Sequence, residues 1–206
     1  MQSTDIEIRK AFHNKRLISY HNCPKTLVID ELGVSHGQHR IDIAVLNGCI
    51  HGYEIKSSKD NLSRLYDQLT AYSKCFEKLS FIVAPNHIDE VLSLAPEWCG
   101  VILAEKGARG GIYFSSLRRA KKNPDIEIQA MAHFLWKKET INLLKFLGVE
   151  ERKIKGARQN LYEALPGLIT PSELSVWIKK QFMQREDWRV AQQPLLDGDL
   201  RRPAST

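Results

Sequence analysis

The hydrophobic positions at the start of the chain follow helical spacing. Ile8, Ala11 and Phe12 fall on one face of a helix. Thr4 and Glu7 have the spacing of a capping box, in which each side chain accepts a hydrogen bond from the other residue's backbone N–H. The segment therefore predicts a first helix that begins after Thr4.

Three short segments rich in β-branched residues follow this helix, and each is bounded by glycine or asparagine. They are residues 26–34, 39–47 and 49–56. This pattern is typical of strands joined by short turns, so the three segments predict a meander.

Helical spacing returns after Asp60, which is placed to act as the N-cap. The apolar residues at that spacing are Leu62, Leu65, Leu69, Tyr72 and Phe76. Residues 79–85 then form a continuous apolar run, which predicts a strand covered on both faces. A short helix at 87–95 and two strands around a glycine-rich turn at 100–116 complete the predicted order, α-β-β-β-α-β followed by α-β-β.

The composition changes near residue 123, where a basic run ends and three helical patterns separated by glycine or proline begin. The sequence predicts an α/β domain at 1–122, a small all-helical domain at 123–193 and a flexible tail at 194–206. We expect the helical domain to build its core from its large aromatic residues, Trp136, Phe146, Tyr162 and Trp177.

Charge and cysteine content narrow the function classes. The 206 residues carry a formal net charge of +6, and the sequence pI is about 9.1. This mild excess of Lys and Arg favours a polyanionic partner such as nucleic acid. The four cysteines are far apart and include no CxxC pair, so we expect free thiols in a cytoplasmic protein and no iron–sulfur cluster. No apolar segment is long enough to cross a bilayer, so we expect no membrane partner.

Two carboxylates and a lysine interrupt the second and third predicted strands. Glu54 and Lys56 are two positions apart, so they share a face of their strand, and Asp42 lies on the neighbouring strand. Carboxylate oxygens are the ligands that Mg²⁺ and Mn²⁺ prefer, and a nearby ammonium can orient water or offset phosphate charge. A two-residue turn at 47–48 would put Asp42 and Glu54 on opposite faces of the sheet. We therefore predict a three-residue loop at 47–49, which puts them opposite each other.

Asp42 and the triplet Glu54–Lys56 resemble the signature of the PD-(D/E)XK nuclease superfamily, whose core has the predicted order α-β-β-β-α-β. Gln68 and Tyr72, on the following helix, resemble the QxxxY motif of the RecB-like branch of that superfamily. The chain looks similar to small bacterial members. It departs from the pattern at Ile41, where the superfamily name has proline, and it lacks the cysteines that hold an iron–sulfur cluster in some members of the branch.

The resemblance implies a restriction-endonuclease-like fold with a mixed sheet. It also implies a Mg²⁺- or Mn²⁺-dependent deoxyribonuclease that hydrolyses phosphodiester bonds, with DNA favoured over RNA. The implied metal ligands are Asp42, Glu54 and the Ile55 carbonyl, with Glu31 as an extra acidic ligand or a water-binding group unless Asp30 beside it is the inward residue. Lys56, Gln68 and Tyr72 are the further catalytic groups, although Gln68 and Tyr72 could equally be a buried amide and a core aromatic residue.

Other interpretations stay open at this point. The chain could be a catalytically inactive module of the same fold that binds nucleic acid or another protein, or an RNase with the same metal site. The helical domain could form a homodimer, bind a protein partner or contact phosphates, although basic runs are usually solvated helix faces. His36, His39 and His51 lack the spacing of a metal cluster, so we expect them at the surface or in turns.

Overall fold

The computed structural model describes residues 2–185, which form a mixed α/β fold around a six-stranded sheet. The strands are β1 (Leu27–Val34), β2 (His39–Leu46), β3 (Ile50–Lys56), β4 (Lys78–Val83), β5 (Gly100–Lys106) and β6 (Ile112–Arg118). The helices are α1 (Asp5–Lys15), α2 (Ile18–His21), α3 (Leu65–Ser73), α4 (Ile88–Leu94), α5 (Ile128–Ala132), α6 (Lys137–Phe146), α7 (Arg158–Glu163) and α8 (Pro171–Gln184). The predicted tail at 194–206 lies outside the described residues.

The strands are arranged in the sheet in chain order, from β1 to β6. The pairs β1–β2, β2–β3 and β5–β6 are antiparallel, whereas β3–β4 and β4–β5 are parallel. Parallel neighbours need a crossover connection, and α3 and α4 supply the two crossovers. The predicted meander and the predicted order of the six strands with α1, α3 and α4 are therefore confirmed, and the sheet is mixed. Helix α2 was not predicted, and the C-terminal segment forms four helices instead of the predicted three.

Helix α1 is fixed to the rest of the fold at its first turn. The predicted capping box is present, with the Thr4 N–H donating to Glu7 Oε2 at 2.9 Å. Glu7 also accepts a hydrogen bond from Lys106 at 2.6 Å, which ties α1 to β5. Ile8 and Phe12 are buried on one face of the sheet.

The opposite face of the sheet carries a larger apolar core that continues into the C-terminal helices. Phe76 links the two parts, because its ring packs against Tyr72 on one side and Phe134 on the other. Asn123 reinforces the link by donating hydrogen bonds to the carbonyls of Ser73 and Phe76. A division into two domains at residue 123 stays a prediction, and any such division would cut through this shared core.

The start of helix α3 corrects one prediction. Asp60 does not cap the helix, because its carboxylate accepts hydrogen bonds from the backbone N–H and the hydroxyl of Ser57, both at 2.7 Å. These bonds close the turn that follows β3 instead. The helix begins at Leu65, with Arg64 as its N-cap residue.

Two of the four aromatic residues expected in the C-terminal core are exposed. Tyr162 is fully buried, and its hydroxyl donates to the Leu135 carbonyl at 3.1 Å. Trp136 and Phe146 instead lie at the surface, so their assignment to the core was wrong. Phe146 packs against Trp177, and Trp136 packs against the guanidinium of Arg185, which explains how both rings are partly covered without entering the core.

None of the helices formed by residues 2–185 is both long enough and apolar enough to span a membrane.

Candidate metal and phosphodiester site

The connection between β2 and β3 has the geometry that the site requires. Leu46 pairs with Ile50, so the loop contains the three residues 47–49, and Gly48 has a φ of 73°, which is favourable for glycine. The predicted three-residue loop is confirmed. The pairing continues to Ile43 opposite Tyr53, which leaves Asp42 and Glu54 as the next positions on the two strands.

Strands β2 and β3 separate at Asp42. Instead of a backbone bond between the strands, Asp42 Oδ2 accepts the Ile55 N–H at 2.6 Å. Strand β1 is also irregular opposite Asp42. Glu31, the residue at that position, has a φ of 56° and is omitted from the pairing of β1 with β2. The separation gives the Asp42 carboxylate room at the junction of three strands.

Glu54, Lys56 and Gln68 form a buried triangle of hydrogen bonds beside this junction. Lys56 Nζ donates to Glu54 Oε1 at 3.0 Å and to Gln68 Oε1 at 2.7 Å. Gln68 Nε2 donates to Glu54 Oε1 at 2.6 Å, which closes the triangle. The second oxygen, Glu54 Oε2, is buried and has no hydrogen-bond partner. The two strand residues and the Gln68 of the QxxxY pattern therefore meet in one place.

Tyr72, the second residue of that pattern, connects helix α3 to strand β2 beside the site. Its side chain is fully buried, and its hydroxyl donates to the Arg40 carbonyl at 2.7 Å. Burial and the nearby Glu54 carboxylate raise the pKa of the Tyr72 hydroxyl. Tyr72 therefore links α3 to β2 and keeps its proton.

Arg9 of helix α1 is a site residue outside the sequence motif. Its guanidinium lies among three carboxylates, at 3.1 Å from Asp5 and 2.7 Å from Asp42, and it also contacts Glu31. Arg40 lies 3.7 Å from the other oxygen of Glu31. The sequence holds a weak signal for this role, since Asp5 and Arg9 are four residues apart and Arg9 adjoins the buried face of α1.

The electrostatics of this site favour additional positive charge. Burial raises the pKa of Asp42 well above its usual range, and the Glu54 charge raises it further. Burial also raises the pKa of Glu54, although the neighbouring Lys56 opposes the shift. The site thus holds two carboxylates whose negative charges are incompletely balanced.

The donor set fits a magnesium or manganese ion. Among residues 2–185, no three His, Cys, Asp or Glu side chains converge as a complete metal site. Mg²⁺, however, usually takes one or two carboxylates and keeps several waters. Asp42 and the unpartnered Glu54 Oε2 supply that number of carboxylates, and the Ile55 carbonyl belongs to the same strand segment. Glu31 reaches the site through its contact with Arg9.

A pocket of about 240 Å³ lies beside Glu31, where β1 faces the C-terminal helices. Its lining includes Leu32, His133, Phe134 and Trp136. Glu31 lines this pocket, whereas Asp42 and Glu54 do not, so the pocket offers space for part of a ligand beside Glu31 only.

His51 does not occupy a turn, which corrects its sequence-based placement. It lies within β3, where Nε2 is 2.9 Å from Ser80 Oγ and the ring stacks on Tyr53 at 4.1 Å. Burial lowers the pKa of His51 to about 3. His51 is therefore neutral in the folded protein near neutral pH.

We expect His51 to destabilise the protein as the pH falls below about 6.5, the pKa of an unfolded histidine. The unfolded chain binds a proton between that value and the folded pKa of about 3, whereas the folded protein does not. The folding equilibrium constant should therefore fall by up to about tenfold per pH unit in this window. Urea unfolding of wild type and His51→Gln at pH 4.5–8 would measure the difference. Parallel pH curves for the two proteins would contradict the prediction.

Comparison with known proteins identifies the family to which the sequence is similar. The family model described as "Bacteriophage P4 protein cII" matches residues 2–195. Protein cII of Enterobacteria phage P4 is 29% identical over 122 residues, which cover 59% of this chain and 46% of that protein. The match thus spans about half the length of that relative. No solved structure matches the chain significantly. Because the family match runs through nearly the whole sequence, the chain belongs to the Bacteriophage P4 protein cII family.

Proposed function

We propose that this protein is a metal-dependent nuclease with a restriction-endonuclease-like core, and that it hydrolyses phosphodiester bonds in DNA. The observation that carries the proposal is the buried triangle of Glu54, Lys56 and Gln68 beside Asp42, at the point where β2 and β3 separate. Burying two carboxylates and an ammonium costs free energy of folding, and apolar residues of similar volume would stabilise the fold at least as well. A purely structural role therefore does not account for this arrangement.

Asp42, Glu54 and the Ile55 carbonyl would hold the metal ion, with Glu31 as a further acidic group. A bound Mg²⁺ or Mn²⁺ supplies Lewis acidity toward phosphate oxygens and lowers the pKa of water. In the overall reaction, a water oxygen bonds to phosphorus, the bond from phosphorus to the leaving oxygen breaks, and the leaving oxygen takes up a proton.

Lys56 and Gln68 have defined parts in this proposal. The hydrogen bonds to Glu54 and Gln68 hold the Lys56 ammonium in one position. It is therefore preorganised to donate a hydrogen bond to a phosphate oxygen. Gln68 holds Glu54 Oε1 and so leaves Glu54 Oε2 as the oxygen that is free for a ligand. Tyr72 keeps α3 in register with β2 through the Arg40 carbonyl.

Composition supports a polyanionic substrate and a cytoplasmic location. The net charge of +6 favours association with nucleic acid, and salt should weaken that association. Several basic residues of the C-terminal segment are already paired, including Lys145 of α6 with Glu151 and Arg152 with Glu150 in the connection to α7, so the phosphate-contacting surface is smaller than the basic runs imply. The four cysteines are free thiols, which suits a reducing compartment.

The contacts of Arg9 favour a second candidate function, a nucleic-acid-binding or protein-binding module without catalysis. Arg9 already neutralises part of the charge on Asp42, and a site built only for stability would need such a cation. The unpartnered Glu54 Oε2 argues against this alternative, because an unsatisfied buried oxygen lowers stability.

The test of the proposed function is a cleavage assay on a panel of substrates. We expect wild type to cleave at least one DNA substrate with Mg²⁺ or Mn²⁺ and to be inactive with EDTA. The panel contains supercoiled plasmid, linear duplex, single-stranded DNA and RNA. Lys56→Ala should lose about 10²-fold or more in rate, because the positioned donor is removed.

The same panel separates the alternatives. Cleavage of RNA alone would identify an RNase that uses the same site. Metal-independent binding of DNA without cleavage of any substrate would favour the non-catalytic module. Equal rates for wild type and Lys56→Ala would show that Lys56 does not contribute to cleavage, and equal rates for Asp42→Asn as well would assign the activity to a contaminant.

A further inference from the structure

The Arg9 guanidinium contacts carboxylates that a metal ion at this site would also bind. Its side chain is 9% exposed and contacts the carboxylates of Asp5, Glu31 and Asp42. Two of these, Glu31 and Asp42, are also carboxylates of the proposed metal site. One internal cation therefore already satisfies part of the acidic cluster.

The two oxygens of Asp42 have different partners. Oδ2 accepts the Ile55 N–H at 2.6 Å, a bond that holds the strand junction. Oδ1 accepts from Arg9 at 2.7 Å. A metal ion that binds Asp42 Oδ1 would therefore lie beside the Arg9 guanidinium, and the two cations would compete for the charge of this oxygen.

The competing guanidinium can release Asp42 without losing all of its partners. Asp5 lies one helical turn from Arg9, at 3.1 Å, and Glu31 contacts the other terminal nitrogen. Helix α1 is also held to the fold without Arg9, by the hydrogen bond from Lys106 to Glu7 at 2.6 Å and by the hydrogen bond from the Ser3 N–H to Ser58 Oγ at 2.7 Å. An exchange at Asp42 therefore needs only a side-chain movement.

We propose that Arg9 is a built-in counter-cation that competes with a divalent metal ion for Asp42 and Glu31, and thereby sets the metal concentration at which the site loads. This inference rests on the proposed metal site. It makes metal binding an exchange of one cation for another. The apparent metal affinity is lowered by the free energy of the Arg9 contacts that the metal must break.

Calorimetric titration of the full chain with Mn²⁺ tests the proposal without any substrate. Arg9→Gln removes the competing charge, so we expect its Mn²⁺ affinity to rise by about tenfold or more. Arg9→Lys keeps the charge but loses the forked contacts, so its affinity should lie between those of Arg9→Gln and wild type. Arg152→Gln is the matched control, because it removes an exposed guanidinium that pairs with Glu150 outside the site. Its affinity should stay within about threefold of wild type.

The outcomes separate the inference from the proposed function. Wild-type or weaker Mn²⁺ affinity in both Arg9 variants would overturn the inference and make Arg9 a structural brace for Asp42. If Arg9→Gln does not fold, Arg9→Lys decides the question. If folded wild type and variants all bind no Mn²⁺, the inference and the metal site both fail. Tighter binding in the expected order, without cleavage of any nucleic acid, would support the inference and refute the nuclease.

Discussion

Asp42→Asn is expected to lower the rate of metal-dependent DNA cleavage by roughly 10²- to 10³-fold while the protein stays folded. The amide removes the negative charge that would hold the metal ion, but its oxygen can still accept the Ile55 N–H that closes the strand junction. Initial rates at saturating Mg²⁺ measure the effect, and circular dichroism checks the fold.

Asp67→Asn is the matched control for this substitution. Asp67 is exposed on helix α3, next to Gln68 in sequence but outside the buried triangle. The control should retain wild-type activity, since surface changes away from a site usually have small effects. If Asp42→Asn cleaves DNA as fast as wild type, the carboxylate does not bind the catalytic metal.

Phe76→Ala is expected to lower the free energy of unfolding by about 3–5 kcal/mol. The ring fills the space between Tyr72 and Phe134, with centroid distances of 5.9 and 5.6 Å. It also lies so close to Gly52 of β3 that an added Cβ there would be 3.1 Å from the ring. Removing Phe76 therefore opens a cavity where the sheet, α3 and the C-terminal helices meet. Urea unfolding followed by circular dichroism and tryptophan fluorescence measures the loss.

The same experiment tests whether the chain unfolds as one unit. Because the core is continuous, we expect coincident transitions from the two probes. Phe146→Ala is the control, since Phe146 is 74% exposed, and it should change stability by less than about 1 kcal/mol. Two separate transitions, with only one sensitive to Phe76→Ala, would instead support independent domains on either side of residue 123.

The local elements of this protein follow from short-range sequence patterns. The capping box of Thr4 and Glu7 and the three-residue loop around Gly48 are recognisable because their partners are three or four residues apart. The loop also determines that Asp42 and Glu54 are neighbours, since a one-residue change of register would separate them. The N-cap of α3 was mispredicted because an Asp can accept from a residue three positions before it as well as cap a following helix, and Asp60 accepts from Ser57 while the helix begins only at Leu65.

Long-range contacts account for what the patterns missed. The sequence alone predicted the order of the strands with α1, α3 and α4, the register of β2 on β3 and the neighbouring positions of Asp42 and Glu54, because spacing of two and 3.6 residues decides which side chains share a face. Only the tertiary structure determined that Arg9, 33 residues before Asp42, enters the site, and that the C-terminal helices extend the core of the sheet. Such contacts depend on how whole helices and strands pack against one another. The local spacing of hydrophobic residues predicts which face of an element is buried, but not which other element covers it.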